Sequence, residues 1–197
     1  MERSLSLMRR ISRWGLWFGG ALVLLAALLI GVDVILRRFF AASIGGADEL
    51  AGYALAIGTA WGLAATLLER AHIRIDSLYV LFPRIYRILL DFFGLGLFIL
   101  FFAMVAWHGS GVVMQSWTSS SRSQSALQIP TVIPQSIWMI GLLLFVLVGV
   151  ALLIDALVKL KNGDRSGIGR TIGIRSAEED VEEEIAALRR RQRAGSN

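Results

Sequence analysis

Residues 135–154 read QSIWMIGLLLFVLVGVALLI, a run of 20 residues without a single charged side chain. A helix of about 20 apolar residues is long enough to cross the ~30 Å hydrocarbon core of a bilayer. The run therefore predicts a transmembrane helix, which we expect to begin near Pro134 and to cover residues 134–158.

Three similar apolar runs precede it. The first, residues 14–36, is predicted to stay in the protein and not to be cleaved as a signal peptide, because Arg37 and Arg38 separate it from the small residues that follow. The other two cover residues 47–68 and 85–107, and a serine-rich loop precedes the last run. The predicted fold is all-α: a four-helix transmembrane domain at residues 14–158, between a basic N-terminus at residues 1–13 and a tail at residues 159–197.

The composition agrees with a membrane protein. Hydrophobic residues make up 55% of the chain and charged residues 18%, and the mean hydropathy is +0.63. The chain has no cysteine, which excludes disulfides and thiolate sites. The net charge of +5 does not indicate nucleic acid, because the basic residues flank apolar runs, where they meet lipid headgroups.

The basic residues also predict the orientation. A cytoplasmic N-terminus places 17 Lys and Arg residues inside and only Arg37, Arg38 and Arg122 outside. Since basic loops stay in the cytoplasm, both termini are expected there.

Charged residues of the spans lie near the span ends, in three pairs spaced i,i+4: Asp33 with Arg37, Arg87 with Asp91, and Asp155 with Lys159. They are either interfacial pairs or contacts with a partner helix. The middle of the spans offers no ionisable relay, which argues against an autonomous ion-coupled transporter.

Small residues repeat along the second span, where close helix packing is expected. The candidate packing residues are Gly52, Ala56, Gly58, Ala60, Gly62 and Ala64. They serve packing either within the four helices or against another subunit. Trp61 lies about two turns inside this span, where its indole N–H needs an acceptor or faces a neighbouring subunit.

Little in the chain predicts chemistry. His72 and His108 are expected at opposite ends of the membrane, so they cannot ligate one haem. The chain contains no phosphate-binding, zinc-protease or serine-nucleophile motif, and we expect neither an enzyme nor a resident cofactor or metal. In the tail, a capping box at Ser176 predicts a short amphipathic cytoplasmic helix over about residues 177–192.

Several linking segments resemble one known family. They are Val34–Phe40 (VILRRFF), Ala47–Ala51 (ADELA), Ala71–Asp76 (AHIRID), Ala126–Pro130 (ALQIP) and Ile133-Pro134. Together they resemble the Q-type small membrane subunit of tripartite ATP-independent periplasmic (TRAP) transporters, over roughly residues 14–158.

The resemblance implies a bacterial inner-membrane protein that holds a larger M-type subunit. That subunit would carry the substrate and sodium sites of an elevator mechanism, while a periplasmic binding protein delivers an organic acid such as a C4-dicarboxylate or sialic acid. The candidate interface residues are Arg37, Arg38, Asp48, Glu49, Trp61, His72, Arg74 and Asp76. Solvated charges and local turn structure remain alternatives for these residues. A homo-oligomeric transporter or channel, or an intramembrane redox subunit, is the alternative function.

Overall fold

The computed structural model describes residues 2–70, 82–173 and residue 185. Its helices are α1 (Glu2–Phe40), α2 (Ala47–Leu68), α3 (Arg84–Thr118), α4 (Val132–Lys161) and α5 (Arg165–Ile172). The first four are long and apolar enough to cross a membrane, which confirms the all-α, four-span prediction. The predicted tail helix, residues 177–192, lies outside the described residues apart from residue 185.

The four long helices form an open row in the order α1, α2, α4, α3. Each packs mainly against its neighbour in this order, and α1 meets α4 only slightly. Burial follows the same order: 11% of the most apolar part of α1 and of α3 is buried, against 39% for α2 and 33% for α4. The row therefore keeps broad apolar faces exposed on its outer helices.

Three of the helices are longer than their predicted spans, α4 by only a few residues at each end and the other two by more. α1 begins well before Trp14, and α3 continues to Thr118, past the expected span end at Trp107. Hydroxyls in the added part of α3 bond back to the helix. Ser110 Oγ donates to the Trp107 carbonyl at 2.7 Å, and Thr118 Oγ1 donates to the Met114 carbonyl at 3.1 Å. Satisfied in this way, Ser110 does not terminate the helix, which continues to Thr118.

The chain connections define the two ends of the row. The loop end holds residues 41–46 and 119–131, and the tail end holds the start of α1, residues 69–70 and 82–83, and residues 162–173. Between them the core is centred on Phe145 of α4, which is fully buried and makes edge-on contacts with Phe98 and Phe102 of α3. Aromatic packing of this kind joins α3 to the row.

The short helix α5 was not predicted from the sequence. Asp164 caps it by accepting from the Gly167 amide at 2.8 Å, and Ile168 and Ile172 are buried in the core. Just beyond the end of α2, Arg70 Nη1 donates to the Gly169 carbonyl at 3.1 Å. Contacts with α3 and α4 stabilise this short, glycine-containing helix, since isolated short helices are unstable.

Candidate functional site

The seam between α1 and α2 is built on glycine. A Cβ atom on Gly19 would lie 2.6 Å from the Gly58 carbonyl oxygen, and one on Gly58 would lie 2.9 Å from the Gly19 carbonyl oxygen. One turn earlier, a Cβ on Gly15 would meet Trp61 at 3.1 Å. The two backbones touch because neither glycine has a side chain, as small-residue stripes allow.

Trp61 connects three helices of the row. Its Nε1 donates to the Ile137 carbonyl of α4 at 2.9 Å, and its ring makes an edge-on contact with Phe18 of α1. Gly141 of α4, which the sequence reasoning missed, makes room for the indole: a Cβ there would lie 2.6 Å from Trp61 Cδ1. The indole N–H therefore has an acceptor within the chain, which is one of the two alternatives for Trp61, and its place among the candidate interface residues stays a prediction.

The small-residue stripe of α2 divides between two surfaces. Gly58, Ala60 and Ala64 are buried within the row, and Gly62 lies in ordinary contact with Leu16 of α1. Gly52 and Ala56 are exposed, and a Cβ on Gly52 would meet nothing within 4 Å. The stripe thus packs the chain internally along one side and leaves its loop-end part uncovered.

The uncovered part forms one wall of a groove of about 360 Å³. α2 contributes Gly52, Ala56 and Thr59, and the other walls include Phe102 of α3 and Trp138 of α4. Thr59 Oγ1 donates to the Leu55 carbonyl at 2.7 Å, so this hydroxyl does not need an outside partner. The groove is apolar and shallow at α2, where an apolar segment can approach the backbone closely.

At the loop end, a buried carboxylate fixes the connection between α1 and α2. Asp33 is 1% exposed and accepts from the Ile44 amide at 2.7 Å and from Ser43 Oγ at 3.0 Å. It also pairs with Arg37 one turn later. The i,i+4 spacing predicted the pair, but nothing in the sequence indicated that Asp33 also holds the turn.

The four candidate interface residues at this end have different surroundings. Arg37 forms an ion pair with Asp33. Glu49 accepts from the Tyr53 hydroxyl at 2.5 Å and faces Ser123 and Ser125. Asp48 is 82% exposed and lies 4.0 Å from Arg37, and Arg38 is exposed. Asp48 and Arg38 therefore both lie on the exposed surface of the loop end.

The two loops of this end pack on each other. Gly46 precedes α2 with a φ of 113°, a conformation that favours glycine, and a Cβ there would collide with Leu127 at 2.8 Å. The second loop is tied across its base, where the Thr131 amide donates to the Ser121 carbonyl at 3.1 Å. The loop end is thus a single packed surface.

At the tail end, α5 closes a polar cluster. Lys159 Nζ lies 2.7 Å from Asp155 and 2.5 Å from Thr171 Oγ1, so the predicted Asp155–Lys159 pair is extended by a hydroxyl of α5. For the other predicted pair, Arg87 Nε donates to the Phe82 carbonyl at 2.7 Å and Asp91 is buried. The candidate residues His72, Arg74 and Asp76 lie outside the described residues.

Comparison with known proteins identifies a family. The family model described as "Tripartite ATP-independent periplasmic transporters, DctQ component" matches residues 26–159, more than half of the chain. The matched region contains the second part of α1, all of α2 and α3, and nearly all of α4, and it ends before α5. No curated protein and no solved structure matches the chain.

Proposed function

Because the chain belongs to the DctQ component family of tripartite ATP-independent periplasmic transporters, we propose that it acts as a fixed scaffold for a large M-type subunit. In this proposal the assembly performs sodium-coupled, binding-protein-dependent uptake of an organic acid. The large subunit carries substrate and sodium, and this chain, from a transporter-component family, makes and breaks no bonds.

The observation that carries the proposal is the open row. Its inner seams are tight, with Gly19 against Gly58 and Trp61 bridging α1, α2 and α4. Its outer helices are only 11% buried in their most apolar parts. Tight seams resist deformation, whereas exposed apolar faces provide area for a second membrane protein, and this combination suits a part that stays still while its partner moves.

We place the main partner contact in the groove beside Gly52 and Ala56. Without a hydrophobic driving force between helices in lipid, association depends on close packing, which exposed small residues permit. Phe102 and Trp138 supply large walls on the other side of the groove. A helix of the large subunit fits these features, because a small-residue floor lets its backbone approach α2.

We further propose the bacterial inner membrane as the location, with both termini in the cytoplasm. The support is the basic-residue asymmetry of the sequence. In this orientation the loop end is periplasmic and presents Arg38 and Asp48 to the substrate-binding protein. The segment with His72, Arg74 and Asp76 is then cytoplasmic and remains a candidate contact with the large subunit.

Reconstitution in liposomes tests the proposal. We expect no sodium-driven organic-acid uptake from this chain alone or from the large subunit alone, and uptake when both are present with the binding protein. Uptake by this chain alone would contradict the scaffold role. Full uptake by the large subunit and binding protein without this chain would contradict it as well.

A further inference from the structure

One side of the tail-end part of α1 packs on the row, and the opposite side does not. Ser12 is 1% exposed, Met8 packs against the core, and Gly15 meets Trp61. About half a helical turn away lies a second stripe at i,i+3 and i,i+4 spacing. This stripe consists of Ser6, Arg9, Arg10, Arg13, Trp14 and Trp17, and it lines a cleft of about 710 Å³.

The three arginines of the stripe carry charge that the described residues do not neutralise. Arg9, Arg10 and Arg13 are exposed, and no hydrogen bond or ion pair joins them to any described residue. Three like charges within about one turn repel each other, so the cluster favours a multivalent anion. Guanidinium groups match the oxygens of a phosphate particularly well.

The neighbours of the arginines indicate that this anion is attached to a lipid. Trp14 and Trp17 are 73% and 74% exposed on the same stripe, and indole rings prefer the headgroup level of a bilayer. Farther along the helix, Leu24, Leu25 and Leu28 are exposed as well. The order along α1 is therefore cation, aromatic ring, aliphatic surface, which is the order of a phospholipid from headgroup to acyl chain.

We propose that this stripe is a binding site for an anionic phospholipid. Arg9, Arg10 and Arg13 hold the phosphate oxygens, Trp14 and Trp17 cover the glycerol region, and the acyl chains lie along Leu24 and Leu28. A lipid with two phosphates, of the diphosphatidylglycerol type, satisfies the three charges best. The site fixes the depth of α1, the helix at the edge of the row, and its existence does not depend on the transport role.

The competing occupants are acidic protein segments and free phosphate. The chain has its own acidic run at residues 178–184, and a partner subunit is a second source of carboxylates. Neither explains why two exposed indoles and an aliphatic surface continue the arginine cluster along the same helix.

The test measures lipid binding to the purified full chain by native mass spectrometry and by quenching of tryptophan fluorescence with brominated lipids. Arg10→Gln/Arg13→Gln is compared with Arg38→Gln/Arg122→Gln, which removes the same charge at the loop end. We expect diphosphatidylglycerol to bind the parent chain and the control equally. It should bind Arg10→Gln/Arg13→Gln about 30-fold more weakly, because each basic residue near an anionic surface contributes on the order of a factor of five.

Three results would overturn the assignment. One is equal binding of phosphatidylcholine, which would leave no role for the charges. Another is full competition by inorganic phosphate at matched ionic strength, which would assign the site to a free anion. The third is evidence that the arginines bind protein carboxylates instead. A chain truncated after Gly173 that binds lipid when the full chain does not would give this evidence for the acidic run of the tail. Loss of the large subunit by Arg10→Gln/Arg13→Gln, with lipid binding retained, would give it for the partner.

Discussion

Gly19→Val is expected to open the seam between α1 and α2 and to lower the free energy of unfolding by about 3 kcal/mol, the upper part of the range for overpacked interiors. The new Cβ would lie 2.6 Å from the Gly58 carbonyl oxygen and 3.0 Å from its Cα atom. These are backbone atoms within a helix, so they cannot rotate away as a side chain could. The two helices must separate, and Trp61 must lose its contacts with Gly15 and Phe18.

The neighbouring residue provides a matched control. A Cβ on Gly20 would meet nothing within 4 Å, so Gly20→Val makes the same chemical change on the same helix without a collision. Thermal unfolding of both variants in one detergent, followed by tryptophan fluorescence, gives the comparison. Equal unfolding midpoints for Gly19→Val and Gly20→Val would show that the seam is not packed as described.

Asp33→Ala is expected to lower the free energy of unfolding by about 1 to 3 kcal/mol, the usual penalty for leaving buried donors without their acceptor. The substitution leaves the Ile44 amide and the Ser43 hydroxyl without their acceptor and Arg37 without its counter-charge. Because these contacts hold residues 41–46, the connection between α1 and α2 should loosen. Limited trypsin digestion should then cleave after Arg37 and Arg38 faster than in the parent chain.

Two further substitutions make this result specific. Asp33→Asn retains an oxygen that can accept from the Ile44 amide but removes the charge, so its loss of stability should be intermediate. Asp48→Ala removes a carboxylate that is 82% exposed and 4.0 Å from the same arginine, and exposed pairs contribute roughly 0 to 1 kcal/mol. If Asp48→Ala proved as damaging as Asp33→Ala, the buried network would not be what fixes the turn.

Much of this fold could be predicted from patterns within single segments of the sequence. The uncharged run at residues 135–154 predicted α4 without any tertiary information, because backbone polar groups in lipid must be satisfied within a helix. The i,i+4 pairs Asp33–Arg37 and Asp155–Lys159 also followed from spacing alone, and both form. Periodicity along one helix is local information, which the sequence carries directly.

The features that could not be predicted are those that depend on which helices pack against each other. The stripe of α2 was evident, but only the open row shows that Gly58 packs inside while Gly52 and Ala56 face a groove. The fit of Gly141 to Trp61 joins residues 80 positions apart, and α5 has only Ile168 and Ile172 to bury. In each case the contact is made by a segment that is distant in sequence, and no local sequence pattern predicts which segment that is.

The central claim, a fixed scaffold that holds the large subunit at the α2 groove, is tested most directly by photo-crosslinking from position 56. Benzoylphenylalanine replaces Ala56 in the chain co-expressed with its large subunit, and Leu28 of α1 is replaced in the same way for comparison. We predict a crosslink from position 56 to the large subunit, at the same site with and without sodium and substrate, and lipid adducts from position 28. Absence of the crosslink, or its movement to another site when substrate and sodium are added, would contradict the account.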